Sequence, residues 1–188
     1  MRKLFVSNLI SLDGYLAGPD GDLSWFGVGP DFFAYVHEMM PTLGMILFGR
    51  VTYEMMVSYW TRPDVMRDDP RVAPFMNELP KLVASRTLTR TPWGYRDNAT
   101  VTADPVKTVR ELKAQSGKDM VIYGSGGLVT TLAQAGLIDE YRLMMNPVIL
   151  GQGIPMFRGM QRRVALELVD SRVFDNKMTM LTYRPETR

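Results

Sequence analysis

The 188-residue chain contains no cysteine, which excludes disulfides, thiolate metal sites and thiol nucleophiles. Histidine is nearly as scarce. His37 is the only one, with neither a ligand-spaced partner nor a nucleophile motif beside it, so no histidine metal site and no Ser-His-Asp triad is expected. Charge of one sign is also lacking: 22 Lys and Arg against 20 Asp and Glu leave a formal +2. With no basic run longer than Arg162-Arg163, a nucleic-acid partner is not expected. No segment approaches the ~20 apolar residues that span a bilayer, so no membrane partner is expected either. The opening stretch MRKLFVSNLISLDGYLA superficially resembles a secretion signal. Ser7-Asn8 interrupts its apolar run and Asp13 ends it, so it reads as a first β-strand and the cytoplasm is the expected compartment.

What is present is a globular balance, with 46% hydrophobic and 22% charged residues. Short β-type runs alternate with helical ones, the pattern of βα units feeding a mostly parallel sheet. Strands are expected at 4–10, 45–48, 82–84, 100–102 and 120–123. Helices are expected at 31–43, 51–60, 104–116 and from the glycine cluster to Gly136. Asp104-Pro105 combines a capping side chain with proline at the first helical position. The stretch 61–71 reads as a surface loop. The tail differs, with long strands at 141–150, 164–174 and 177–183. The last two are joined at Asp175-Asn176, an antiparallel hairpin signal. An α/β architecture, a mostly parallel sheet finished by an antiparallel edge, follows.

Three strand ends offer groups suited to an anion. Gly124, Ser125, Gly126 and Gly127 follow one strand and open a helix, where the chain can approach a ligand closely and helix amides point at it. The lysine of a P-loop is missing, and the spacing is not that of the Rossmann fingerprint. Gly49, Arg50 and Thr52 repeat the arrangement, adding a guanidinium and a hydroxyl. Ser85 and Arg86 end a third strand, where they are placed to hold a 2′-phosphate. Each junction alone also reads as an ordinary turn or capped helix. Ligands of open α/β sheets gather at the carboxyl ends of strands, so the three together point to a nucleotide. Asp31 begins a helix and reads first as its cap. Trp25-Phe26 is placed either to wall a pocket or to anchor a loop.

The succession SLDGYLAGPDG, FGRVTYE, LVASRTL, VIYGSGG and NPVILGQGIPMF resembles the reductase domain of riboflavin biosynthesis and its dihydrofolate-reductase-like relatives, over roughly residues 2–184. The resemblance implies a single dihydrofolate-reductase-like domain over 1–188, with NADPH as cofactor and a small-molecule substrate. It places Gly49, Arg50 and Thr52 at the cofactor phosphates and Ser85 and Arg86 at the 2′-phosphate. Gly124 to Gly127 would line the pyrophosphate and nicotinamide side. Asp13 of the SLDG motif would lie near the reacting centre, as the first candidate for proton delivery or substrate orientation. Gly151 and Gln152, with the loop from Ser11 to Gly21, would frame the substrate cleft. Asp31 corresponds to the carboxylate that holds the pterin in dihydrofolate reductases. The family's usual lysine two places after Asp13 is Tyr15 here, which counts against the phosphorylated riboflavin precursor. The expected activity is hydride transfer to a heterocyclic or carbonyl substrate. Dihydrofolate reduction, riboflavin-precursor reduction and a non-catalytic nucleotide-binding role are the alternatives. A homodimer is also expected, with Met144, Met145 and Val148 as a candidate apolar patch.

Overall fold

A computed structural model describes residues 2–186. In chain order its elements begin with β1 (Leu4–Ser11), β2 (Tyr15–Ala17), α1 (Pro30–Met39), β3 (Leu43–Gly49) and α2 (Arg50–Trp60). Two short helices follow, α3 (Pro63–Asp68) and α4 (Val72–Glu78), then β4 (Lys81–Ala84), β5 (Ala99–Thr102) and α5 (Pro105–Ala114). The remainder is β6 (Asp119–Ile122), α6 (Gly126–Gln134), β7 (Glu140–Asn146), β8 (Ile154–Pro155), β9 (Leu166–Val173) and β10 (Thr179–Pro185).

Eight strands form one sheet in the order β5-β4-β3-β6-β1-β7-β10-β9. The first six run parallel, and β10 and β9 complete the edge as an antiparallel hairpin. Parallel strands need crossovers, and the crossover helices cover both faces. That is why β1 alternates between two cores rather than between core and water. Leu4, Val6 and Ile10 pack under α5 and α6, while Phe5 faces α1, α2 and α4. Asp104 caps α5 by accepting the Lys107 amide at 3.0 Å. The expected α/β sheet with its antiparallel edge is present.

Several boundaries differ from the sequence expectation. The stretch 61–71 is not all loop, because Pro63 opens α3 at the first helical position. Helix α4 was not expected, since seven residues carry too short a period to read. Strand β7 stops at Asn146 rather than at 150. Its continuation instead leads to β8, which pairs with β2 in a separate two-stranded sheet. The apolar patch expected at Met144 is not one. Strand β7 is paired on both sides, and Met144 is buried in the core beside α1. The sheet edge is β9, with Leu168 and Val173 exposed. Among the described residues no helix is long and apolar enough to cross a membrane.

One buried cation stands out at the start of β4. Lys81 is 1% exposed, its Nζ donates to the Asn77 carbonyl at 2.7 Å, and it lies 4.3 Å from the centre of the Trp93 ring. Burial lowers its ammonium from the usual 10.5 to about 7. The unfolded chain therefore holds this proton more tightly than the folded one. The destabilisation is full below about 7 and is relieved as pH rises toward 10.5. Asn77 O keeps a second donor, Asn98 Nδ2 at 2.8 Å, when the ammonium is removed. Lys81→Met is expected to raise Tm relative to the wild type more at pH 6.5 than at pH 9.5 (roughly half a unit below the lower end of that range and one unit inside its upper end). Parallel Tm profiles of the two proteins across that window would contradict the assignment.

Candidate functional site

Strands β4, β3, β6 and β1 run the same way, so their carboxyl ends form one row along a sheet edge. Adjacent strands lie ~4.8 Å apart, which spreads the row over roughly 14 Å. Both α2 and α6 start on it, directly after β3 and just past β6. Neither helix has a side-chain cap, so the first-turn amides of both remain available. Two positive dipole ends thereby meet over one cleft.

Ser125 joins the two starts. Its hydroxyl accepts the Gly49 amide at 2.7 Å and donates to Thr52 Oγ1 at 2.8 Å. To reach both, Ser125 takes a left-handed conformation, φ +57°, which is costly outside glycine and marks a position held by its surroundings. Gly126 is required for closeness instead. A Cβ there would stand 2.8 Å from the Met156 carbonyl oxygen and 2.9 Å from that of Pro155, against which α6 begins. Gly127 differs, because a Cβ there would meet nothing within 4 Å. That side of the turn is open to the cleft.

Asn8 braces the same turn from below. It is 3% exposed, and its side-chain amide both accepts the Gly124 N–H and donates to the Gly124 carbonyl at 3.1 Å. It was not among the expected site residues. The available signal was its polarity within an otherwise apolar strand, since a buried polar side chain needs a specific partner.

Among the other expected residues, Gly49, Arg50, Thr52, Gly124, Ser125, Gly126 and Gly127 all line a single cavity of about 610 Å³. Arg50 stands at its mouth, paired with Glu54 at 3.0 Å. Ser85 and Arg86 do not line it. Ser85 directly follows Ala84, the register partner of Gly49, which places the pair one strand further along the row. The Ser85 hydroxyl is engaged within its own turn, accepting the Thr87 and Leu88 amides, and Arg86 is exposed.

Asp13 also lies outside the cavity. Its carboxylate accepts the Ser11 hydroxyl at 2.7 Å, the Leu150 amide at 3.1 Å and the Gly151 amide at 2.7 Å. The Ser11 hydroxyl, with those two amides, holds it below the usual carboxylate range. It is therefore an ionised tie between two loops, a poor fit to proton delivery. Gly151 serves as the other end of that tie, and its carbonyl accepts from Tyr15 Oη at 3.5 Å. Gln152 is exposed and does not line the cavity. Asp31 turns away from the cleft to accept the Asp175 amide at 2.6 Å and the Phe32 amide at 2.9 Å. Trp25 anchors its loop through Nε1 to the Asp22 carbonyl at 3.0 Å, and its neighbour Phe26 reaches the cavity in its place.

Comparison with known proteins bears on the family and the fold. The model of the RibD C-terminal domain matches residues 2–180. The uncharacterized protein YyaP of Bacillus subtilis (strain 168) is 30% identical over 186 residues, covering 97% of this chain and 94% of that protein. A crystal structure of a Shewanella sp. PV-4 protein, assigned provisionally to riboflavin biosynthesis, superposes with a TM-score of 0.77 at 26% identity, covering 98% of this chain and 99% of the other. The fold extends to a dihydrofolate reductase from Enterococcus faecalis complexed with NADP(H) and RAB-propyl, with a TM-score of 0.66 at 17% identity and coverage of 98% and 97%.

Asn8→Ala leaves both the Gly124 amide and its carbonyl without their buried partner. A loss of roughly 2–3 kcal/mol of stability is expected, measurable by denaturant unfolding. A change under 0.5 kcal/mol would remove Asn8 from the support of this turn (about the scatter of neutral surface changes). Asp13→Asn exchanges one acceptor for a donor facing amides. Faster hydrogen exchange at Leu150 and Gly151 is the expected readout, and unchanged exchange there would refute the tie.

Proposed function

The chain belongs to the family of the RibD C-terminal domain, and on that premise we propose that it is an NADPH-dependent reductase acting on a small heterocyclic or carbonyl compound. The observation that carries this reading is the pair of uncapped helix starts joined through Ser125 at the ends of β3 and β6. Two sets of free amides, with Arg50 at the mouth and the open side of Gly127 between them, suit the two phosphates of a dinucleotide. Arg86, one strand along and exposed, suits the 2′-phosphate that distinguishes NADPH from NADH.

NADPH, when bound, would supply a hydride to the carbon of a C=N or C=O bond whose heteroatom takes up a proton, giving NADP⁺ and the reduced compound. The protein's own contribution is orientation and exclusion of water. Arg50 and the first-turn amides of α2 and α6 hold the phosphates. The strap of β2 and β8, tied by Asp13 to Gly151, walls the cleft with Leu16, Ala17 and Ile154. A homodimer belongs to the same proposal, formed through the β9 edge, whose unpaired backbone and exposed Leu168 and Val173 suit self-association. Light scattering at the mass of one chain would exclude it.

Separate titrations with NADPH and NADH, followed by tryptophan quenching, test the reading. NADPH is expected to bind about 10-fold or more tightly than NADH, and Arg86→Ala to erase most of that difference by removing one charge-assisted contact. Failure of both cofactors to bind would overturn the reductase assignment.

A further inference from the structure

Beyond the two helix starts the cavity enters a chamber between α1, α2 and α4, and its lining changes character. Phe32, Val36, Met56, Trp60, Phe75 and Met76 contribute to its walls. Along its lip, Phe33, Val51 and Met55 stand 39%, 64% and 41% exposed. Apolar side chains gathered on an exposed rim mark a surface built to be covered.

Charge is nearly absent from this lining. Only Arg50 and Asp69 among the residues of the whole cavity carry one. Arg50 sits at the helix start assigned above to the cofactor. Asp69 is used at the start of α4, where it accepts the Val72 amide at 2.9 Å. The cation behind the floor, Arg142, is committed as well. Its Nε donates to Glu140 at 2.7 Å, and its guanidinium lies 4.0 Å from the centre of the Phe5 ring. Asp31, the carboxylate expected to meet a pterin, faces the Asp175 turn instead. A phosphate or a glutamate tail entering the chamber would lose its water and find no counter-charge.

Two lining hydroxyls, those of Ser7 and Tyr123, have no hydrogen-bond partner among the described residues. Tyr123 directly precedes the glycine cluster. Its neighbour Tyr35 is turned toward Arg142 at 3.4 Å. The Tyr123 phenol therefore stands where the apolar chamber meets the proposed cofactor groove, with its donor free. Tyr123 is half-buried and lines the cavity, so its hydroxyl is open to a ligand there rather than enclosed in the core.

Resting on the reductase reading, we propose that the substrate is an uncharged, largely apolar ring compound whose reducible C=O or C=N accepts a hydrogen bond from the Tyr123 hydroxyl. The hydride adds to the carbon of that bond. The heteroatom takes its proton from solvent, and Tyr123 keeps its own.

The test is competition against N-phenyl-1-naphthylamine, an uncharged apolar fluorophore, on the full chain with and without saturating NADP⁺. The fluorophore is expected to bind, and 1,4-naphthoquinone to displace it at least about 10-fold more effectively than dihydrofolate or the phosphoribosylated aminopyrimidine. Met56→Asp is expected to weaken the fluorophore about 10-fold or more by placing a charge in the chamber. Tyr123→Phe preserves the ring, and is expected to weaken naphthoquinone roughly 5- to 20-fold while leaving fluorophore affinity unchanged. Stronger displacement by dihydrofolate or the phosphorylated pyrimidine overturns the proposal, as does indifference of naphthoquinone to Tyr123→Phe. If NADP⁺ does not bind but the fluorophore does and is lost in Met56→Asp, the apolar chamber stands and the reductase reading falls.

Discussion

A single hydroxyl, that of Ser125, holds together the two strand-to-helix junctions on which the cleft is built. Strands β3 and β6 are neighbours in the sheet, so their exits are forced close together and two helix starts compete for one space. The Ser125 hydroxyl, carried by the β6–α6 junction, settles that competition by accepting from Gly49 and donating to Thr52, both of the β3–α2 junction. The strained backbone at Ser125 and the lack of side-chain caps on α2 and α6 belong to the same arrangement. Caps would satisfy the free amides and leave nothing for an anion to bind. The cleft is thus a place where local helix chemistry is left incomplete, and the surrounding parallel sheet, covered on both faces, supplies the stability that permits it.

The chamber next to it arises from the same packing that makes the core. Tyr35 and Met39 of α1, with Val72 and Met76 of α4, are counted among the buried core and also line the cavity. Core and site are therefore continuous there, and the distinction is only whether the gap between helices is filled. Methionine suits such a boundary because its unbranched side chain adapts to what lies beside it. Met39, Met55, Met56, Met76 and Met144 all border the space. Part of the methionine content that reads as core filling is also cavity-facing surface.

What was legible in the sequence was local. The glycines and hydroxyls at 49–52 and 124–127, and the cap at Asp104, are defined by neighbours within a few positions; the former line one cavity and the latter accepts the Lys107 amide. What was not legible depends on distant partners. Asp13 acquires its role from Leu150 and Gly151, and Asp31 from Asp175, each more than 130 residues away. Nothing near either aspartate distinguishes a carboxylate that ties two loops from one that faces a ligand. Asn8 shows the intermediate case. Its polarity within an apolar strand was visible, but its partner Gly124 lies in the turn after another strand and enters only through the parallel pairing of β1 with β6. Helix α4 was missed for a different reason, being too short for its spacing to register.

The two halves of the cavity present different groups to a ligand, and this bears on how such a fold diverges. The row of strand ends offers mainly backbone amides, fixed by the parallel register and by a few small residues. Substitution of most side chains nearby leaves that surface unchanged, so one cofactor can be kept while much else varies. The chamber offers only side chains, from three helices of which one is seven residues long. Here each substitution alters size, polarity or charge directly. Removing the cation or carboxylate that a charged substrate requires takes a single change. On the proposed function, a shared row of strand ends therefore says little about the compound beside it, and the walls of the chamber carry that information.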